Sequence, residues 1–258
     1  MRIIVMGYII RGPLGGMCFH YLQYLIGLKN LGHKVFYIED SDNYPSCYDP
    51  LKFETSTDPS YGLNFIKDLF AKYGLHNDWA YYDEHRNQWH GQSFNDVERI
   101  CKTADMLINI SNVAAYRDWW AKIPLRILID TDPAFTQIRH IEEKQAGDIA
   151  KVHTHHFSFG ENFGKPDCRI PDDGLDWKPT RQPVVMDLWS NTTQRPNSRW
   201  TTVMQWDSYK SKTYNGQVYG MKSKSFEKYI SVPSIRNEQF ELALGGESAP
   251  RDLLTTNG

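Results

Sequence analysis

Apolar residues along the first three quarters of the chain alternate between two spacings. Short runs of aliphatic and β-branched residues predict buried strands at 3–6, 35–38, 106–110, 125–129 and 184–188. Between them, apolar residues three and four positions apart predict helices that start near Phe19 and over 61–73, 94–104 and 135–145. Strands that alternate with helices are typical of a parallel sheet covered on both faces. We therefore expect an α/β, Rossmann-like fold.

The pattern changes after Trp189, where residues 191–199 are polar and turn-forming and predict a linker. Beyond it the sequence predicts a strand at 200–206, a helix at 223–230, a strand at 240–244 and a closing helix. The expected organisation is an N-terminal Rossmann-like domain over 1–190 and the beginning of a second one over 200–258. Two strands and two helices make an incomplete sheet, so we expect the chain to be a fragment of a longer protein.

Composition narrows the class of protein. The chain has 258 residues with 29 basic and 31 acidic side chains, and this balance carries no electrostatic signature of nucleic-acid binding. We therefore expect no nucleic-acid partner. The four cysteines lie far apart without a C-x-x-C pair, which predicts reduced thiols in a cytoplasmic protein. No apolar run approaches the length of a transmembrane segment. Nothing in the sequence indicates an oligomeric state.

The glycine-rich turn after the first strand raises the question of a bound nucleotide. A dinucleotide fingerprint requires G-x-G-x-x-G, whereas this turn reads Gly12-Pro13-Leu14-Gly15-Gly16 and fits in no frame. Glu39 and Asp40 nevertheless end the second strand, near the place of a ribose-binding acid. A dinucleotide-dependent oxidoreductase therefore stays as an alternative that the glycine spacing disfavours. We expect no cofactor.

Four segments carry a resemblance to a known family. They are "GGMCFHYLQYLIGLKNLGHKVFYIED", "LIDTDPAFTQIRH", "FSFGENFGKPDCRIPDDGLDWKPTRQPVVMDLW" and "WTTVMQW". Together they resemble glycosyltransferases of the B fold, which join two Rossmann-like domains across a cleft. The resemblance implies transfer of a sugar from a nucleotide-sugar donor to a small-molecule or glycan acceptor, without an obligatory metal. It also implies that Gly15 and Gly16 make room for the acceptor or for the sugar phosphate. The acidic E-x7-E-like donor motif of the family is missing.

Two residues are candidates for the general base. His20 lies in the first helical turn after Gly16, and an imidazole with a pKa near 6.5 can take a proton from a hydroxyl group. The alternative is an ordinary, partly exposed helix residue. Asp130 ends a predicted strand at the edge where ligands bind in open α/β sheets. We expect Asp132 to cap the next helix, with Pro133 at its first position, and to contribute to substrate binding.

Further candidates for substrate binding follow in the chain. In an extended strand His153 and His155 share one face, close to Glu161 in the following loop. A zinc site on these histidines lacks a third ligand at sensible spacing. The D-x-D pattern of Asp130 and Asp132 could hold a divalent metal, but a pattern of three residues often occurs by chance, so we expect no metal site. Trp177 either offers a flat surface to a sugar ring or anchors its loop on the core, and Arg181 could reach a phosphate.

Three functional hypotheses result. The first is a glycosyltransferase, or a fragment of one that is inactive alone because its donor-binding half is missing. The second is a non-catalytic carbohydrate-binding or partner-binding remnant of such an enzyme. The third is the dinucleotide-dependent oxidoreductase.

Overall fold

The computed structural model describes residues 1–189, 199–207, 210–236, 239–245 and 248–257. The chain divides into two compact units, Met1–Asp187 and Leu188–Gly258, which we call unit 1 and unit 2. The predicted linker at 191–199 lies outside the described residues except for Arg199.

Unit 1 is a layered arrangement of strands and helices. Its strands are β1 (Arg2–Met6), β2 (Lys34–Asp40), β3 (Cys47–Asp49), β4 (Glu54–Ser56), β5 (Trp79–Asp83), β6 (Gln88–Gly91), β7 (Met106–Ile110), β8 (Leu125–Asp130), β9 (His155–Ser158) and β10 (Trp177–Pro179). Its helices are α1 (Gly15–Asn30), α2 (Ser60–Lys72), α3 (Phe94–Thr103), α4 (Asp118–Ala121), α5 (Phe135–Glu142) and α6 (Lys144–Lys151).

Eight of these strands form one sheet in the order β10-β9-β8-β7-β1-β2-β5-β6. Every pair in this sheet is parallel except β5 with β6. The central strands are almost entirely buried, because helices cover both faces of a parallel sheet and exclude water from each. The α/β, Rossmann-like fold expected from the sequence is confirmed.

Differences from the sequence prediction in unit 1 include the β5–β6 hairpin and the segments 135–145 and 184–188. The antiparallel hairpin β5–β6 was not predicted, because apolar and polar residues alternate little along its strands. The hairpin depends instead on contacts between the strands, such as the stacked rings of Tyr82 and Trp89. The helix predicted over 135–145 is two helices, since Glu143 is extended (φ −113°, ψ 95°). The strand predicted at 184–188 is wrong: residues 186–189 form a 3-10 helix, and Val185 donates to Gln23 of α1 at 2.9 Å.

The loop between β1 and α1 is held by one buried carboxylate. Glu39, near the end of β2, is only 2% exposed. Its two oxygens accept hydrogen bonds from the backbone amides of Ile9, Ile10 and Arg11 at 2.8, 2.8 and 2.7 Å. Its Oε2 also accepts from the Tyr37 hydroxyl, and its Oε1 lies 3.4 Å from the Nε of the fully buried Arg11. Glu39 therefore satisfies main-chain donors and a buried cation together.

A close approach of α2 fixes the same loop from another side. A Cβ atom on Gly62 would lie 1.9 Å from the carbonyl oxygen of Ile10, a distance that no side chain can adopt. Only glycine allows this contact, so α2 and the loop define each other's position.

Unit 2 contains two small sheets and short helices. Strands β11 (Trp200–Gln205) and β14 (Phe240–Gly245) pair in parallel, and β12 (Lys212–Tyr214) with β13 (Gln217–Tyr219) forms a hairpin. The helices are α7 (Lys222–Phe226), α8 (Val232–Ile235) and α9 (Arg251–Thr256). Trp206, Met204 and Ala249 form its buried cluster. The helix predicted at 223–230 is α7 followed by a 3-10 turn.

The helices of the described ranges are too short or too polar to cross a lipid bilayer.

We expect Glu39→Gln to lower the free energy of unfolding by about 3–5 kcal/mol, because it removes the charge that compensates buried Arg11 and weakens three main-chain hydrogen bonds. Urea unfolding followed by circular dichroism measures the change. The matched control is Glu98→Gln, whose exposed ion pair with Lys102 should contribute less than about 0.5 kcal/mol. Equal effects of the two substitutions would contradict the role of Glu39.

Candidate functional site

The candidate site lies at the carboxyl edge of the unit 1 sheet. From β1 the chain passes to β2 on one side, whereas β7 lies on the other side of β1. The connections therefore diverge between β1 and β7 and leave a crevice there, which is where ligands bind in open α/β folds. The loops that follow β1, β7, β8 and β9 surround this point.

The turn at Gly15 and Gly16 begins α1 and is open. Both glycines are exposed, and a Cβ atom on either would meet nothing within 4 Å. No side chain in the described part of the protein caps this helix, and its first turn has no acidic residue. The free amides and the positive end of the helix dipole therefore face open space, where an anionic group would be favoured.

His20 lies one turn into the same helix and is half-buried. Its ring is 6.1 Å from that of Phe159, which follows β9, and 6.3 Å from that of Tyr24. Burial lowers the pKa of His20 below its usual value of 6.5. The imidazole is therefore mainly neutral at pH 7, which is the form that can accept a proton.

Asp130 ends β8, as predicted, but its carboxylate is 1% exposed and fully engaged. Oδ2 accepts from Ser158 Oγ at 2.7 Å and from Gln137 Nε2 at 3.0 Å, while Oδ1 accepts from the amide of Asp132 at 2.9 Å. These contacts favour a role in fixing the loops after β8 and β9. They disfavour Asp130 as the base, because a base needs an accessible oxygen.

The predicted capping role of Asp132 is wrong. Helix α5 begins after Ala134, whose amide donates to Gln137 Oε1 at 2.7 Å. Ala134 has φ 77° and ψ −50°, a costly conformation for a residue with a side chain. This turn places the helix start two residues beyond the position that Asp132 and Pro133 predict.

The two histidines expected to share a strand face are separated. β9 begins at His155, so His153 precedes the strand and lies in the core at 4% exposure. Its Nδ1 is 3.1 Å from the carbonyl of Ala150, its Nε2 is 3.2 Å from Asn109 Nδ2, and its ring stacks on Trp120. Burial lowers the pKa of His153 to about 4. These contacts favour packing over substrate binding, whereas His155 is exposed.

Trp177 packs inward rather than forming an exposed platform. It is 8% exposed, and its Nε1 donates to Asp173 Oδ1 at 2.8 Å. The contacts favour the interpretation as an anchor. Glu161 and Arg181 are exposed and pair with each other at 2.6 Å, so any ligand of Arg181 competes with Glu161.

The sequence analysis missed a polar cluster at this edge, formed by Asn112, His140 and Asp173. His140 Nδ1 lies 2.7 Å from Asp173 Oδ2, and its Nε2 lies 3.3 Å from Asn112 Nδ2. Nδ1 therefore donates to the aspartate, and Nε2 faces the amide group of Asn112. Asn112 has φ 50° and follows Ser111 with φ 65°, two left-handed residues in succession after β7.

The acids proposed for a dinucleotide ribose are committed elsewhere. Glu39 holds the β1–α1 loop, and Asp40 forms a two-pronged ion pair with Arg117 at 2.8 and 2.9 Å. Arg117 also contacts Glu84 and lies over the ring of Tyr82. The structure therefore disfavours the oxidoreductase alternative, since neither carboxylate is free to bind a ribose.

Two pairs were considered as metal ligands, His153 with His155 and Asp130 with Asp132. Among the described residues, no three His, Cys, Asp or Glu side chains come together as a possible metal site.

No protein-family model and no curated protein matches the chain. Its fold is similar to solved structures of alpha-glucosyltransferases, which are members of the broader class of glycosyltransferases. One, in complex with UDP and a 13-mer DNA containing a central A:G mismatch, is 13% identical, with 100% of this chain and 60% of that chain covered and a TM-score of 0.47. Another, in complex with UDP, is 11% identical over 99% and 61% of the two chains, again with a TM-score of 0.47.

A third structure, in complex with UDP-glucose and DNA containing an abasic site, is 14% identical over 81% of this chain and 52% of that chain, with a TM-score of 0.42. The chain thus spans at most about three fifths of the length of these structures. Identities this low concern the fold alone and assign no activity to the chain.

The expectation of no nucleic-acid partner is contradicted by these comparisons, because several of the similar enzymes are bound to DNA. The expectation rested on net charge, which averages over the whole surface and carries no information about a local patch.

Neutral, buried His153 makes stability depend on pH. Its pKa is about 4 when folded and near 6.5 when unfolded, so the unfolded chain binds the proton first as the pH falls. This contribution is complete above pH 6.5 and is lost progressively toward pH 4, by roughly 3 kcal/mol.

We expect His153→Gln to flatten the decline in unfolding free energy across that interval, and His155→Gln to leave it as steep as in the parent. Urea unfolding at half-unit pH steps provides the measurement. Parallel curves for the parent and His153→Gln would show that another group causes the decline.

Proposed function

We propose that the chain is part of a nucleotide-sugar glycosyltransferase in which unit 1 binds the acceptor and unit 2 belongs to the donor side. The observation that supports it most is the open, uncapped start of α1 at Gly15–Gly16, next to the neutral imidazole of His20. A hydroxyl group can approach the backbone there because no side chain blocks it. An anionic diphosphate is favoured at the same place by the helix dipole.

His20 is the general base of this proposal. It takes the proton of the acceptor hydroxyl while the acceptor oxygen bonds to the anomeric carbon of the sugar. The bond from that carbon to the diphosphate breaks, and the nucleoside diphosphate leaves with the bonding electrons. Asp130 acts in this scheme as a positioning residue through Ser158 and Gln137, since its oxygens are already engaged.

Glu161, Arg181 and His155 remain candidates for contacts with the substrate. Glu161 and Arg181 are exposed and could exchange their mutual ion pair for contacts with a sugar or phosphate. Exposed His155 stays a candidate contact as well. We place the protein in the cytoplasm, in keeping with the free cysteines Cys18, Cys47, Cys101 and Cys168.

The acceptor is best sought with a panel, because no side chain surrounds the Gly15–Gly16 turn closely enough to select one class of acceptor. The full-length protein is incubated with UDP- and GDP-sugars and with monosaccharides, oligosaccharides and duplex DNA, including DNA that carries a HMU base as in one similar structure. Release of the nucleoside diphosphate that depends on an acceptor supports the proposal. Acceptor binding without any transfer would favour the non-catalytic alternative, and micromolar binding of NAD or FAD would favour the oxidoreductase.

We expect His20→Ala to lower kcat by about a hundred- to ten-thousand-fold with little change in acceptor KM, because a base acts mainly in the transition state. The matched control is His156→Ala, since His156 is also half-buried and has a pKa lowered by burial, but bonds to the Ala150 carbonyl. Steady-state kinetics on both variants, with folding checked by circular dichroism, decides the assignment. Near-normal turnover of a folded His20→Ala enzyme would rule out His20 as the base.

A further inference from the structure

The segment that follows β10 lies along helix α1. Val185 donates its amide to Gln23 Oε1 at 2.9 Å, and its side chain comes within 3.4 Å of the position that a Cβ atom on Gly27 would take. Closer to the start of the helix, the side chain of Gln182 contacts His20. The segment therefore joins α1 at several points, and Gln182 is its contact with the residue that we assign as the base.

Two carbonyl groups fix the orientation of the Gln182 amide. Its Nε2 donates to the backbone oxygen of His20 at 3.0 Å and to that of Pro183 at 3.4 Å. An amide nitrogen of glutamine carries two hydrogens, so both donors are engaged. The reversed orientation would place Oε1 against the same two carbonyl oxygens, which would repel it. The nitrogen therefore faces the carbonyls, and the oxygen is left for another partner.

The oxygen of this amide is the atom that can act on the imidazole. Among the described residues, Gln182 Oε1 is buried and accepts no hydrogen bond of good geometry. Burial lowers the pKa of His20, and the interaction with the side chain of Gln182 raises it in part. An acceptor has this effect because it stabilises the N–H of the charged ring. Since Nε2 is engaged with the carbonyls, Oε1 is the acceptor.

Other groups around the imidazole carry no charge. The surrounding rings are those of Tyr21, Tyr24 and Phe159, with centroids at 4.8, 6.3 and 6.1 Å. Burial raises the pKa of both tyrosines, so they are neutral near pH 7. Arg181, the neighbour of Gln182, is exposed and paired with Glu161. Among the described residues, no charged side chain contributes to the pKa of His20.

We propose that Gln182 is the positioning residue of His20, an inference that rests on the proposed function. Its Oε1 accepts the N–H of one ring nitrogen, which leaves the lone pair of the other nitrogen for the proton of the acceptor hydroxyl. After His20 has taken that proton, the same oxygen stabilises the imidazolium. Such hydrogen bonds are often poorly aligned before substrate binds and become shorter in the substrate complex.

The first test needs no turnover. The 258-residue chain is labelled with nitrogen-15 in its histidine rings, and their NMR signals are followed as the pH is changed. The signal that is missing in His20→Ala identifies His20. Gln182→Met keeps the volume of the side chain but removes the acceptor, so we expect it to lower the measured pKa of His20 by about 0.5 or more. Gln182→Glu supplies a carboxylate and should raise that pKa.

Gln23→Met is the matched control, because Gln23 also joins the segment to α1 but through the amide of Val185. It should lower the stability of the protein and leave the pKa of His20 as in the parent. The proposal is overturned if folded Gln182→Met leaves this pKa unchanged, or if Gln23→Met lowers it as much. Should Gln182→Met fail to fold, Gln182→Glu decides, and a pKa that does not rise overturns the proposal.

Kinetics on the full-length protein connect the contact with transfer. Gln182→Met should lower kcat by about tenfold with little change in acceptor KM, and should move the acid limb of kcat/KM toward lower pH together with the measured pKa of His20. An unchanged kcat would overturn the role of Gln182 in the reaction. If the parent transfers no sugar to any acceptor, the proposed function fails, whereas the titration still decides the contact between Gln182 and His20.

Discussion

The loops of the candidate site depend on two adjacent carboxylates at the end of β2. Neighbouring residues of a strand point to opposite faces of the sheet, so Glu39 and Asp40 reach different loops. Glu39 accepts hydrogen bonds from the amides of the β1–α1 loop and pairs with the side chain of Arg11. Arg11 in turn donates to the Val113 carbonyl at 3.0 Å. Asp40 holds Arg117, which closes the loop that follows β7. Glu39 and Asp40 thus fix the positions of the β1–α1 loop and of the loop after β7, which border the crevice. Both loops keep these positions only while the two buried carboxylates stay paired with their arginines.

The same dipeptide shows why local sequence patterns predicted the fold but not the contacts of Glu39 and Asp40. The strands β1, β2, β7 and β8 consist mainly of apolar residues, and this local pattern predicted that they are buried strands. The role of Glu39 depends on residues 28 to 30 positions away, which no local pattern encodes. Acids at the end of a second strand predicted a ribose contact, whereas the structure uses both of them internally. The same holds for His153 and Trp177. Each has a polar group that suggested a ligand contact, and in each this group is hydrogen-bonded within the protein, to Asn109 and Asp173 respectively.

What could be foreseen at the site was the part that lies close together in the chain. Gly15, Gly16 and His20 share one helix start, so their proximity followed from sequence order. The His140–Asp173 pair joins α5 to the loop before β10 across 33 positions, and its partner Asn112 comes from a third segment. The left-handed turn at Ser111 and Asn112 also contains no glycine that could have predicted it from the sequence. Residues of this kind become visible only when the strands have been placed beside each other.

The contact of Gly62 with Ile10 has a consequence for the search for relatives. Because a side chain at this position cannot coexist with the present loop, the glycine is a diagnostic residue for that conformation of the crevice. A divergent sequence that keeps a glycine at the equivalent place, together with an acid at the end of the second strand, is compatible with the same loop. A sequence with alanine or a larger residue there must have moved the second helix or rebuilt the loop, and hence presents a differently shaped opening. The positions of Gly62 and Glu39 can therefore sort homologues by the shape of this loop, even where identity is too low to align the crevice residues themselves.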